Sequence, residues 1–169
     1  MRWIITVLIT ISLSFSQTYR VSKGQIVLKA KSIVMGVEDQ FEARGDGLSG
    51  TINFTDNKFS LVYDLWNLDT GIRLRNEHMH LNYLETEQYP LVDFSGKIIS
   101  VNDNSIRVEG QFTLHGASQK LLVTATKNGN TITANWKLDL TAFNIELPKY
   151  MMAKLNRNLD MHVTLKLEN

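Results

Sequence analysis

Apolar and polar residues alternate along most of this chain with a period of two. In residues 131–140, Ile132, Ala134, Trp136, Leu138 and Leu140 fall on one side, with Thr131, Thr133, Asn135, Lys137 and Asp139 on the other. Successive side chains of a strand point to opposite faces, so this run predicts a ribbon with one dry and one wet face. The pattern recurs in Ile26, Leu28 and Ala30, then in Leu48, Gly50, Ile52 and Phe54, then in Phe59, Leu61, Tyr63 and Leu65. It continues in Phe94, Gly96 and Ile98, in Ile106, Val108, Gly110, Phe112 and Leu114, and in Leu121, Val123 and Ala125. The last run carries Leu159, Met161, Val163, Leu165 and Leu167. Asp56-Asn57 and Asn128-Gly129-Asn130 read as tight turns joining neighbouring runs into hairpins. Residues 33–44 predict a further, less regular strand.

These runs predict an all-β fold of eight to nine antiparallel strands with one or two short helices. Such a number closes into a barrel, which removes sheet edges and leaves an interior that is packed solid or holds one small ligand. Inward Leu61, Tyr63, Phe94, Ile98, Phe112, Leu114, Ala134, Trp136, Leu138, Met161 and Val163 are the candidate lining. Small inward residues (Gly96, Gly110, Ala125, Ala134) leave room for a guest unless the aromatic rings close over them.

Two stretches break the period. Residues 76–84 predict a short helix with Asn76 as N-cap and Glu77 in the first turn. Met79 and Tyr83, four apart, then share a face that covers one end of the barrel. Residues 145–156 carry Tyr150, Met151, Met152 and Leu155 after Pro148 and read as a lid or as core under a long loop, with Met152 added to the candidate lining.

The N-terminus reads as a secretory signal. Arg2 precedes an apolar stretch from Ile4 to Leu13, and Ser14-Phe15-Ser16 offers small residues for cleavage before Gln17. The expected organisation is a signal peptide over residues 1–16 and one barrel domain over 17–169, periplasmic or secreted. The apolar stretch is shorter than the roughly 20 residues a membrane span needs, so no stable span is expected after cleavage. The full chain has 18 Lys+Arg and 17 Asp+Glu. Loss of Arg2 leaves a neutral chain with no basic stripe, which argues against nucleic acid as a partner. Without cysteine, thiol catalysis and thiolate metal sites are excluded.

Candidate chemistry is sparse. On a helix, His78 and His80 point about 200° apart, so a two-histidine metal clamp is disfavoured. His115 sits at a turn beside Gly116, and His162 lies on a wet face. No Gly-x-Ser-x-Gly elbow occurs, Ser95 and Ser118 are ordinary strand or turn serines, and Glu85 and Glu87 are expected to face solvent. No catalytic residue, metal or cofactor is expected. Arg73, Arg75 and His78 are polar candidates at a barrel mouth, where an arginine either hydrogen-bonds a ligand headgroup or ties a loop to surface groups.

Three motifs in order resemble the YceI-like family: Leu68-Asp69-Thr70-Gly71-Ile72-Arg73-Leu74-Arg75-Asn76-Glu77-His78-Met79, then Tyr89-Pro90-Leu91-Val92-Asp93-Phe94, then Gly110-Gln111-Phe112-Thr113-Leu114-His115-Gly116. Arg75, His78, Tyr89-Pro90 and His115-Gly116 match the family's marks. Asn76 stands where the family usually carries Asp, residues 33–50 lack its His-containing strand, and Gln119-Lys120-Leu121 replaces its Thr-Lys-Pro. The resemblance implies an exported, lipocalin-like barrel whose relatives in some cases hold a polyisoprenoid. The expected partner is therefore an apolar or amphiphilic small molecule such as an isoprenoid or quinone-like lipid, carried or sequestered. The alternative is a ligand-free barrel serving as a stress-related or surface interaction module. Oligomeric state is left open, a dimer included.

Overall fold

The computed structural model describes residues 18–34, 36–147, 149–150 and 153–169, with side-chain surroundings described outside 34 and 148–154. The strands are β1 (Thr18–Val34), β2 (Val37–Asp46), β3 (Ser49–Asn53), β4 (Lys58–Asp64), β5 (Leu68–Asp69), β6 (Leu91–Asn102), β7 (Ser105–Leu114), β8 (Ala117–Asn128), β9 (Thr131–Asp139), β10 (Lys149–Tyr150), β11 (Ala153–Leu155) and β12 (Asn158–Glu168). Helix α1 spans Arg73–His78 and runs into a wide π-turn at Met79–Tyr83. The signal-peptide expectation falls outside the described residues.

All pairings are antiparallel. The order β3-β4-β6-β7-β8-β9-β12-β1 closes on itself because Thr18–Arg20 of β1 pair with Thr51–Asn53 of β3. These eight strands are the eight regular period-two runs, since only a strand with one face in the core and one in water keeps strict alternation. The start of β1 belongs to the barrel, but the strand continues well beyond it. Its residues Gln25–Val34 pair with β2, and Ser32–Val34 also pair with β11. The irregular strand expected over 33–44 is thus the end of β1 plus most of β2. Val37–Gln40 are all exposed, so no burial pattern marks them. Short β5 pairs with Arg44 and Gly45 of β2, and β10 pairs with β11.

The helix starts three residues before the expected point. Ile72 is its N-cap, without a side-chain cap bond, and Asn76 lies inside the helix. Asn76 is engaged elsewhere. Its Oδ1 accepts from Thr70 N and Thr70 Oγ1 at 2.8 and 2.6 Å, and its Nδ2 donates to Asp69 Oδ1 at 2.6 Å. An amide can donate and accept at once. An aspartate here would oppose the Asp69 carboxylate, which gives the departure from the family pattern a physical reason.

The core contains a chain of edge-on aromatic contacts. Phe59 meets Phe94 at 4.9 Å between ring centroids, Phe94 meets Phe112 at 5.7 Å, and Phe112 meets Phe143 at 5.6 Å. Gly96 and Gly110 are cross-strand partners and do not leave room for a guest. A Cβ on Gly110 would stand 2.9 Å from Phe59 Cζ, and one on Gly96 would stand 2.2 Å from the Glu109 carbonyl. Their hydrogens let the aromatic ring and the neighbouring backbone close in.

Surface carboxylates take cationic or amide partners. Hydrogen bonds from Lys29 to Glu42, from Arg157 to Asp139, from Lys137 to Asp160 and from Asn76 to Asp69 hold these groups below their ordinary values of 4.5 for Glu and 3.8 for Asp. With the folded pKa depressed, the unfolded chain binds more protons below that range. Stability is therefore expected to stay level from pH 7 to about 5 and to fall as pH drops through 4 and below. Urea midpoints measured across that range check this, and added salt should flatten the fall.

Candidate functional site

The barrel interior holds a cavity of about 150 Å³ with an apolar wall. Leu61, Tyr63, Phe94, Ile98, Phe112, Leu114, Ala134, Trp136, Leu138, Met161 and Val163 all line it. Ala125 lines it too, whereas Gly96 and Gly110 do not. The aromatic chain occupies much of the lumen, which accounts for its small size. Met152 lies outside the described residues.

Two wall residues carry polar atoms with no partner among the described residues, Tyr63 Oη and Trp136 Nε1. Tyr63 is 3% exposed. Its hydroxyl fills the notch left by the missing side chain of Gly45, where a Cβ would come within 1.7 Å. Burial, reinforced by Asp64 and Asp46, pushes the phenol pKa well above its ordinary value, so the wall stays uncharged.

A second space of about 580 Å³ adjoins the first. Leu28, Leu68, Leu84, Leu140 and Leu159 line both, forming a collar between lumen and groove. One side of the groove is the inner face of the β1–β2 ribbon, with Ala30, Ser32, Phe41 and Ala43. The other sides are Ile72, Leu74, Met79 and Tyr83 of the helical segment and Ile145, Glu146 and Leu155 of the 145–156 segment. Met79 and Tyr83 share the groove-facing side, as their spacing predicts. Because the 145–156 segment contributes groove residues and adds strands to β1, its described part acts as wall. The lid expected from Tyr150, Met151 and Met152 concerns side chains outside the described residues.

The three polar mouth candidates separate. Arg75 and His78 line the groove, and Arg73 does not, being exposed at the helix start. The Arg75 guanidinium stacks 4.4 Å above the Phe41 ring centroid. Phe41, Ala43 and the collar leucines of β5 and the helix end escaped sequence reasoning. Their only signal was apolar character in segments without strict alternation.

The remaining histidines are held structurally. His80 is buried, donating from Nε2 to the Leu68 carbonyl at 3.0 Å and facing the Thr86 hydroxyl at 3.2 Å through Nδ1. Its ring packs on Trp66 at 5.0 Å. His115 lies 2.7 Å from Glu85 Oε2, reaches the Phe143 carbonyl at 3.2 Å and packs on Tyr89 at 4.6 Å. Glu85 is exposed, as its position predicts, and its carboxylate also pairs with His115. A Cβ on Gly116 would meet Tyr89 Cε1 at 2.8 Å, so Tyr89 and His115-Gly116 act as packing marks of the fold. His162 lies 2.5 Å from Asn135 Oδ1 on the outer face. Among the described residues, no group of three His, Asp or Glu side chains is placed to hold a metal, and no helix is long and apolar enough to cross a membrane.

Solved structures share this architecture. A polyisoprenoid-binding domain from Saccharophagus degradans, implicated in plant cell wall breakdown, is 18% identical with a TM-score of 0.63, covering 88% of this chain and 98% of its own. BcnA of Burkholderia cenocepacia is 17% identical with a TM-score of 0.59, covering 85% of this chain and 96% of its own. A Campylobacter jejuni YceI protein with a monobromobimane guest is 16% identical with a TM-score of 0.53, covering 66% and 72%. Likeness at these identities establishes the fold alone. No curated protein matches by sequence. The family model for the YceI-like domain matches residues 12–168, almost the whole length, and the chain belongs to that family.

Proposed function

We propose that this protein binds one amphiphilic molecule with an apolar tail, isoprenoid or quinone-like, for carriage or sequestration. The observation that carries this reading is the apolar lumen continued, through the leucine collar, by a larger groove at the barrel mouth. The chain's likeness to the polyisoprenoid-binding domain from Saccharophagus degradans supports it. The tail end would enter the lumen among Phe94, Phe112, Trp136 and Met161, and the middle would lie in the groove.

A tail burying a few hundred Å² of apolar surface gains several kcal/mol, at about 25 cal/mol per Å², before association costs. The lumen volume sets a limit. At about 150 Å³ it takes the last few carbons of a tail, comparable to an engineered apolar cavity of about the same size that admits benzene. Most of the contact must come from the groove. The reading places the protein outside the cytoplasm, in the periplasm or secreted, on the strength of residues 1–16. It assigns no catalytic step.

Native mass spectrometry of protein purified in mild detergent tests the reading. A co-purifying lipid near one per chain is the expected result. Protein that emerges ligand-free and also ignores fluorescent prenyl probes would favour the ligand-free module instead.

A further inference from the structure

We infer that the groove selects amphiphiles with an oxyanion head, a carboxylate or phosphate, and that Arg75 is the residue that selects them. This rests on the amphiphile-binding reading above and narrows it to a ligand class.

Arg75 is half-buried on the groove wall. Taking a guanidinium even partly out of water is costly unless its donors find acceptors. Even two exposed arginines take a carboxylate partner: Arg44 is bridged to Glu42 and Arg157 to Asp139. Arg75 has no carboxylate within salt-bridge distance and no hydrogen-bond acceptor among the described residues; its recorded contact is the face of Phe41. Stacking uses the face of a guanidinium and leaves its five edge N–H donors free.

The surroundings explain why the charge stays unspent. Asn76, next in the helix, is neutral, and its amide is committed to Asp69 and Thr70. Glu77 is exposed and does not line the groove. Glu146 is the one carboxylate lining it among the described residues, and it forms no ion pair with Arg75. His78 is the other basic residue on the wall. A planar donor fork fixed over an aromatic ring, beside an apolar channel, matches a headgroup that offers two coplanar or tetrahedral oxygens. An alcohol or amide head uses fewer of those donors and leaves the charge uncompensated.

The test compares four hexadecyl probes with the delipidated full chain, below their micelle concentrations: hexadecanoate, hexadecyl phosphate, hexadecanol and hexadecanamide. Acetate and inorganic phosphate serve as tail-free controls. Wild type should bind both anionic probes about tenfold tighter than the neutral ones, the fold-change expected for one charge-assisted contact at a partly exposed site. Arg75→Met should erase the preference while keeping hexadecanol binding, and Arg75→Lys should retain part of it. Glu146→Gln should tighten the anionic probes a few-fold.

Equal binding of all four probes by wild type overturns this proposal and leaves the amphiphile reading standing, with no dependence on whether a variant folds. Full-affinity binding of inorganic phosphate alone also overturns it, since the anion would then need no tail. Failure of every hexadecyl probe removes the amphiphile reading and this inference together.

Discussion

Replacing Phe112 with alanine should lower the unfolding free energy by about 3–5 kcal/mol, the range for deleting a buried phenylalanine. That is a large part of the 5–15 kcal/mol typical of a domain. Phe112 is 5% exposed and sits in the middle of the aromatic chain, touching Phe94 and Phe143 edge-on. Each such contact adds about 0.5–1.5 kcal/mol beyond area burial, so the variant loses two of them as well as the burial itself. Phe112→Leu restores most of the volume and should cost about 1–2 kcal/mol. Guanidinium titrations at matched m-value measure both. Because Phe112 also lines the lumen, the alanine variant should admit a longer stretch of tail. A loss under 1 kcal/mol would mean that the aromatic chain is not central to the core.

Ala43→Trp should abolish tail binding, with an affinity loss of about a hundredfold or more, while the fold survives. Ala43 is buried on the groove wall opposite Leu28, its cross-strand partner and a collar residue. An indole there projects into the groove and takes the space the tail would occupy. Excluding roughly 100–200 Å² of apolar contact at about 25 cal/mol per Å² removes several kcal/mol, which corresponds to that affinity loss. The groove has a volume of about 580 Å³, so the added ring need not strain the sheet, and the thermal midpoint should move by only a few degrees. Leu122→Ala, on the outer face of the barrel, is the control and should leave binding unchanged. If Ala43→Trp binds fluorescent prenyl probes like wild type, ligand reaches the lumen by another route.

The barrel was legible because burial on one face imposes a period of two. Each of the eight regular runs became a barrel strand, and most of the inward residues named from alternation, from Leu61 and Phe94 to Trp136 and Val163, line the lumen. Two readings failed for the same physical reason. Gly96 and Gly110 looked like vacant positions, but vacancy depends on the cross-strand neighbours: the Glu109–Gly110 backbone closes over Gly96, and the Ser95 carbonyl and the Phe59 ring close over Gly110. Asn76 looked like an N-cap, but its amide is bound by Asp69 and Thr70 from β5 and the loop before the helix.

The mouth was least legible. Phe41, Ala43, Arg75, Tyr83, Ile145 and Leu155 come from the β1–β2 ribbon, the helical segment and the 145–156 segment. Each reads as unremarkable in its own stretch. They converge only because β1 outruns the barrel and carries β2 and β11 with it.

Taken alone, the sequence determined the strands, their inward faces, the absence of thiol chemistry and the expectation of an apolar interior. These follow from local alternation and composition, which act over a few residues. Tertiary structure decided how much of the interior is empty, where it opens and which arginine stands at the opening without a carboxylate. Those properties depend on distances between residues far apart in the chain, and no local pattern encodes them.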